Sequence, residues 1–448
     1  MGAIKSWRSG MLLVLGIALS GWAYYQLVAL DDRSQFENLF AYYSLAFAGL
    51  YCLYRSNIPV GIVLCIGLGI RFFFWSYTPV LSQDFYRFLW DGQLQLMGKN
   101  PFLYTPNELT ELLNNPLMQQ LYEGMGGLSQ QHHSNYPPAS QWVFFLLAWL
   151  GGSTVTAQVS LLRGILIVGD VAGWWGLRKA LRHYGLPLGP STAYFLNPLL
   201  IVEGTGNLHG EGLMLAAVAW GIWYFSQGRW VKSAFFFALG VAVKLLPLLW
   251  LPLLLQKAQR KGSFLLLGFG SLFSLLFWGL YLPPQGWSYY VQTLQLWFSN
   301  FEFNASWYYL IREWGYQQTG YNIIRKLGKI TPWIVLLGVV VFSLWPLKGR
   351  SRKLWERVLG LVSLYFFIAT TVHPWYVIQL LFLAAFTPYR YPWLWSYTVF
   401  LSYVAYRSPA VAEPFWLVWV EYGPVYGLLA WEIGRQSIRN RLTSCSFK

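Results

Sequence analysis

Long apolar stretches alternate with short polar connections along most of this chain. Residues 11–30 and 263–282 are each twenty residues without a charged side chain, enough to cross a hydrocarbon core of about 30 Å. The same pattern predicts spans near 10–30, 36–54, 57–77, 157–177, 187–202, 208–226, 232–246, 263–282, 331–347, 354–372, 374–389, 391–406 and 415–432. Residues 138–153 are apolar but short, and read as an interfacial or re-entrant segment. Residues 247–256, broken by Pro247 and Pro252, read as a short return piece. The fold class expected is all-α. It is a polytopic α-helical integral membrane protein of about 14 membrane segments, within a range of about 11–14.

Composition agrees. The chain is 448 residues, 56% hydrophobic, 19% aromatic and 11% charged, against about 25% charge in soluble domains. The first span follows Lys5 and Arg8, but ALSGWA is a poor cleavage site, so a retained span is expected. The net charge of +15 does not point to nucleic acid. Its basic residues cluster in short connections, among them Arg55, Arg178, Lys179, Arg182, Arg229, Lys232, Lys257, Arg260, Lys261, Lys348, Arg350 and Arg390. That is the positive-inside pattern, with the N-terminus in the cytoplasm. It places a long loop, 78–137, and a second one, 283–330, outside. Most acids then collect on the outer face. Cys52, Cys65 and Cys445 form no disulfide or zinc framework.

The densest chemistry lies in 79–106, PVLSQDFYRFLWDGQLQLMGKNPFLYTP. Asp84 and Asp91, two of five aspartates, lie seven residues apart, near one face of a helix predicted over 82–97. Arg87 sits between them, and Phe85, Tyr86, Phe88 and Trp90 fill the other sides. The segment reads as an amphipathic helix at the membrane surface. It carries either a catalytic carboxylate at the water–lipid boundary or a solvated face with an internal Asp–Arg pair.

Charged groups inside spans are functional candidates by default. Lys244, beside the proline break, suits a phosphate, or else snorkels or pairs with Asp170 or Glu203. Arg71 and Arg163 are further cationic candidates. In NPLLIVEGTGNLHGEGLM (197–214), Glu203, Asn207, His209 and Glu211 stand among four glycines. The mixture suits hydrogen bonding to a polyhydroxylated ligand better than metal binding. The alternative is a tight interhelical turn facing water. Aromatic side chains of 299–315 stack on sugar rings or anchor at the interface. His373 opens an HPWY turn on the outer side. No P-loop, GxSxG, HExxH or GxGxxG with an acidic partner is present, which leaves ATPase, hydrolase, zincin and Rossmann readings without support.

Five stretches together carry a resemblance: SQDFYRFLWDGQLQLMGKNPFLYTP (82–106), YPPASQ (136–141), 197–214, VKLLPLLWLPLL (243–254) and HPWYV (373–377). In their order and spacing the chain resembles bacterial, polyprenyl-phosphate-sugar-dependent, mannosyltransferase-like glycosyltransferases of the GT-C fold. The resemblance implies one domain over 1–448, with 1–56 a two-span N-terminal addition. It implies a catalytic aspartate in the first external loop, the position held by Asp84. The double-acid motif of the class is here QDF, with one acid. Asp91 is left as a second acid, and no cofactor is assigned, a divalent metal standing only as an alternative. The donor phosphate ligands expected from the residues are Lys244, Arg71 and Arg163. The expected substrate-binding set is Arg87, Asp91, Tyr136, Gln141, Glu203, Asn207, His209, Glu211 and His373. The expected partners are a polyprenyl-phosphate sugar, a glycolipid or glycan acceptor and membrane lipids, with no nucleic acid. The expected place is the inner or plasma membrane, multi-pass, with the site facing outside. A transporter or flippase of lipid-linked sugars and a glycan ligase remain as rivals.

Overall fold

The computed structural model describes residues 2–258, 260–344, 352–408, 411 and 413–445. Lys348 and Arg350 lie outside the described residues, as do the side chains of Lys5 and Cys445. Among the described residues there is no strand, only an isolated bridge between Phe303 and Thr371.

The helices follow the apolar stretches. In order they are α1 (Gly2–Ala29), α2 (Phe36–Arg55), α3 (Val60–Phe72), α4 (Asp84–Leu96), α5 (Pro116–Gln130), α6 (Pro138–Gly151), α7 (Val155–His183), α8 (Gly189–Phe195), α9 (Glu211–Ser226), α10 (Trp230–Val243), α11 (Leu251–Lys257) and α12 (Arg260–Gly279). There follow α13 (Pro284–Ser299), α14 (Trp307–Thr319), α15 (Ile324–Leu344), α16 (Arg352–Ile368), α17 (Ile378–Ala384), α18 (Tyr391–Thr398) and α19 (Phe415–Cys445). Four of them are long and apolar enough to cross a membrane: Trp7–Ala29 within α1, then α7, α12 and α15.

Several expected spans are broken rather than continuous. The stretch predicted as 187–202 divides into α8 and a wide-turn π segment, Leu200–Gly206. Asn197 causes the break, because its Oδ1 accepts from the Leu199 amide at 2.9 Å and Pro198 cannot extend the helical ladder. The stretch 374–389 divides into a 3₁₀ turn, Pro374–Val377, and α17. The third span, expected to reach 77, stops at Phe72 and turns into α4. Broken backbone at membrane depth is tolerated only inside protein or against a cavity. Here the breaks converge on one cavity.

Residues 1–56 pack into the main core. Tyr24, Leu27 and Tyr43 belong to the main core, the Tyr43 hydroxyl donates to the Ser396 carbonyl at 2.7 Å, and its ring lies 3.7 Å from that of Phe400. The loop 283–330, expected outside, is helical, as α13, α14 and the start of α15.

Candidate active site

A cavity of about 610 Å³ opens between α4, α6, α7, the start of α9, the end of α10, α13 and the 369–379 segment. The helix predicted over 82–97 forms as α4, but it does not lie on the surface. Phe85, Phe88, Leu89, Trp90 and Leu94 are all buried, because α5 and α6 cover the faces that the aromatic pattern suggested were lipid-exposed. Gly92 permits this. A Cβ there would stand 2.1 Å from the Phe144 carbonyl oxygen, so α4 and α6 touch backbone to backbone.

The two aspartates separate in role. Asp91 is fully buried and accepts from Arg87 Nε at 2.7 Å, Ser134 Oγ at 2.5 Å and Gln141 Nε2 at 2.8 Å. Arg87 also donates to the carbonyls of Ser129 and His132 at 2.6 and 2.8 Å. Arg87 lines the cavity, whereas Asp91 and Gln141 stand behind it and tie the 129–141 segment to α4. The internal Asp–Arg pair is therefore Asp91 with Arg87. Asp84 stands apart from it. Its amide donates to Ser82 Oγ at 3.3 Å, and among the described residues its carboxylate meets no hydrogen-bond donor and faces the cavity. Burial pushes its pKa up to about 6; the Lys244 ammonium pulls it down and the Glu211 carboxylate pushes it up.

Lys244 ends α10 in an extended conformation, φ −150°, ψ 140°, where the helix yields to the Pro247 turn. It also faces the cavity. Its partner is Glu211 at the start of α9, neither Asp170 nor Glu203. The ammonium lies 5.9 Å from the Tyr376 ring centre.

The cationic candidates Arg71 and Arg163 are elsewhere. Arg71, fully buried, pairs with Asp170 at 2.9 Å and donates to the carbonyls of Gly67 and Phe195. Arg163 donates to the carbonyls of Trp75, Tyr77 and Thr205 at 2.8, 2.7 and 3.0 Å. Neither lines the cavity. Arg163 satisfies carbonyls that the chain breaks release, and Arg71 answers the buried Asp170 carboxylate.

In the 197–214 loop, Glu203 accepts from Tyr403 Oη at 2.7 Å and Asn207 Nδ2 at 3.1 Å. Both residues sit behind the wall. Leu208 adopts a left-handed φ of 65° and delivers His209 to the cavity. Such a conformation in a non-glycine residue costs about 1–3 kcal/mol. The His209 ring stacks on Trp375 at 3.5 Å, His373 stacks on the other face of Trp375 at 4.3 Å, and Phe303 follows His373 at 5.1 Å. His209 Nε2 has no hydrogen-bond partner and lies 4.0 Å from Glu203 Oε2. Burial, with Lys244 adding, holds the His373 pKa down at about 3, so its imidazole is neutral. Tyr136 also lines the cavity, edge-on to Phe88.

Arg33, Trp375 and Tyr406 are among the wall residues that sequence reasoning did not single out. Arg33 arrives from the α1–α2 connection, 4.1 Å over the Tyr406 ring. Its only signal was position, since the topology puts that connection on the same side as Asp84. Among the described residues no three His, Cys, Asp or Glu side chains gather as a metal site. Asp84 has no acid beside it in the chain and Glu211 is engaged by Lys244, so this donor set does not fit a divalent ion.

An all-α membrane protein with a carboxylate and an ammonium facing one enclosed cavity is the class that fold and site define. The resemblance carried by the motifs is met by the comparisons. Residues 74–259, which include Asp84, His209, Glu211 and Lys244, match the family described as alpha-(1->6)-mannopyranosyltransferase, N-terminal domain. The chain is similar to alpha-(1->6)-mannopyranosyltransferase A of Corynebacterium glutamicum, 23% identical over 178 residues, covering 39% of this chain and 34% of the relative. It is also similar to alpha-(1->6)-mannopyranosyltransferase A of Mycobacterium tuberculosis, 28% identical over 169 residues, covering 37% and 31%. The match thus spans about a third of the length of each relative. No solved structure matches the chain.

Proposed function

We propose that this chain is a glycosyltransferase that moves a mannosyl residue from a polyprenyl-phosphate donor to a hydroxyl of a glycolipid or glycan. The reaction takes place at the outer face of the inner or plasma membrane. Asp84 removes the acceptor proton as the hydroxyl oxygen attacks the anomeric carbon. The bond from that carbon to the phosphate oxygen breaks, and the lipid phosphate leaves with the electron pair. Lys244 faces the charge that develops on it. The resemblance to the class implies inversion at the anomeric carbon. Trp375 and the neutral His209 and His373 flank the sugar, and Arg87 and Tyr136 complete its surroundings.

The observation that carries this reading is Asp84 itself, an unpartnered carboxylate with a pKa raised to about 6, facing the same cavity as Lys244. A base is most effective when its pKa lies close to the working pH. The apolar remainder of the wall, including Leu162, Leu166, Leu245 and Leu294, suits a prenyl chain.

The test is incubation of purified protein in detergent with radiolabelled polyprenyl-phosphate mannose and an acceptor lipid. Transfer without sealed vesicles supports the enzyme, and activity seen only across a bilayer supports a flippase. Asp84→Asn is expected to abolish transfer in a protein that still inserts and melts normally. Normal turnover in that variant would sink the assignment of Asp84.

A further inference from the structure

A second cavity, of about 500 Å³, lies at the other end of the bundle from Asp84. Helix α2 measures the separation. Its 20 residues run from the Arg33 connection to Arg55, about 30 Å at 1.5 Å per residue. The second cavity is lined by Tyr54, Arg55, Asn57, Arg178, Gly189 and Thr192, among others.

Its electrostatics differ from those of the first cavity. There Arg87 is answered by Asp91 and Lys244 by Glu211. Here two guanidiniums come from separate helices, and among the described residues neither is within ion-pair reach of a carboxylate. The segments 53–60 and 178–192 contain no Asp or Glu at all. Arg178 is held in place by Trp174, 5.4 Å beneath it, and by a 3.2 Å hydrogen bond to Ser191 Oγ. That leaves other donors of its fork available. Arg55 lies 5.9 Å over the Tyr51 ring. Two like charges in one concavity repel unless an anion joins them. Planar guanidinium forks match phosphate oxygens, and Tyr54, Asn57 and Thr192 add neutral polar groups.

Val60 in the lining is 40% exposed. Tyr51 and Trp175, one helical turn before Arg55 and Arg178, are 62% and 46% exposed, as expected of side chains at a membrane interface. Gly189 lines the cavity, and a side chain there would crowd it. A Cβ there would stand 2.9 Å from the Tyr54 hydroxyl.

We propose that Arg55 and Arg178 bind the head-group phosphate of an anionic phospholipid from the leaflet opposite Asp84. This site is independent of the glycosyltransferase reading.

The test uses the full chain in nanodiscs of phosphatidylcholine doped with phosphatidylglycerol, with retained lipid counted by mass spectrometry after release. Wild-type protein is expected to retain phosphatidylglycerol, and Arg55→Ala/Arg178→Ala to retain roughly 30-fold less, about fivefold for each cation. Gly189→Leu keeps both charges but fills the cavity, and is expected to lose the lipid as well. Arg229→Ala, an exposed cation outside the cavity, is expected to retain it. Unchanged retention in the double variant, or in Gly189→Leu, overturns the proposal. In a separate arm, inorganic phosphate is added to protein in phosphatidylcholine alone. Thermal stabilisation there equal to that given by phosphatidylglycerol overturns the lipid assignment.

Discussion

Glu211, at the first position of α9, closes an ion pair with Lys244, 33 residues later and at the end of α10. Glu211 is wholly buried while the Lys244 side chain keeps 25% of its surface accessible. The pair holds an ammonium at the cavity wall without neutralising its accessible side. Removing Lys244 leaves Glu211 as an uncompensated buried charge, a loss of about 3–5 kcal/mol in comparable pairs. Lys244→Met is therefore expected to lower the melting temperature and to cost about 10²–10³-fold in kcat. In Lys244→Met/Glu211→Gln the melting temperature should recover while kcat stays low. Recovery of both would show that Lys244 serves only the fold.

The pH profile follows from Asp84. A base acts deprotonated, so transfer should rise with pH through about 6 and level off above it. The Lys244 cation stabilises the carboxylate and lowers its pKa. Without that cation the pKa rises, and the acid limb of Lys244→Met should move to higher pH. The check is kcat/KM from pH 5 to 8 in both proteins. A limb that stays put or moves towards acid removes Lys244 from the surroundings of Asp84.

Trp375 lies between two imidazoles, with His209 at 3.5 Å and His373 at 4.3 Å. Trp375→Ala is expected to raise KM for the sugar donor by about tenfold, the scale of a lost aromatic stack. Trp375→Phe should recover part of it. A variant with unchanged KM in a donor titration would place the sugar elsewhere in the cavity.

Arg71 belongs to the fold rather than to the cavity. Arg71→Met strands Asp170, and the expected loss is about 3–5 kcal/mol of stability. Activity per folded molecule should stay close to wild type, because Arg71 does not line the cavity. A denaturation curve together with activity normalised to folded protein separates the two.

The sequence carried part of this and hid part of it, for identifiable reasons. Helix α4 was legible because seven-residue spacing is a local property, whereas that spacing treats Asp84 and Asp91 alike and only the resemblance told them apart. The break after Lys244 was legible because two prolines mark it. The partner of Lys244 was not, since Asp170 and Glu203 were the acids expected, and the acid that pairs with it is Glu211 at the start of α9. Arg71 and Arg163 looked like ligands because a lone cation in an apolar stretch reads the same whether it meets a phosphate or a released carbonyl. The aromatic side chains of α4 suggested lipid contact, but α5 and α6 cover them, and no periodicity within 82–97 reports on a helix that arrives later in the chain.

The cavity wall is divided along the chain. Its wall residues Asp84, His209, Glu211 and Lys244 lie within 74–259, the part that matches the mannopyranosyltransferase family model. The opposite bank, Tyr290, Trp297, Phe301, Trp375, Tyr376 and Tyr406, together with Arg33, comes from outside it. Inheritance can then act on the two banks at different rates. On the proposed reading, one bank keeps the bond-making chemistry, and the other is free to be redrawn around a different acceptor.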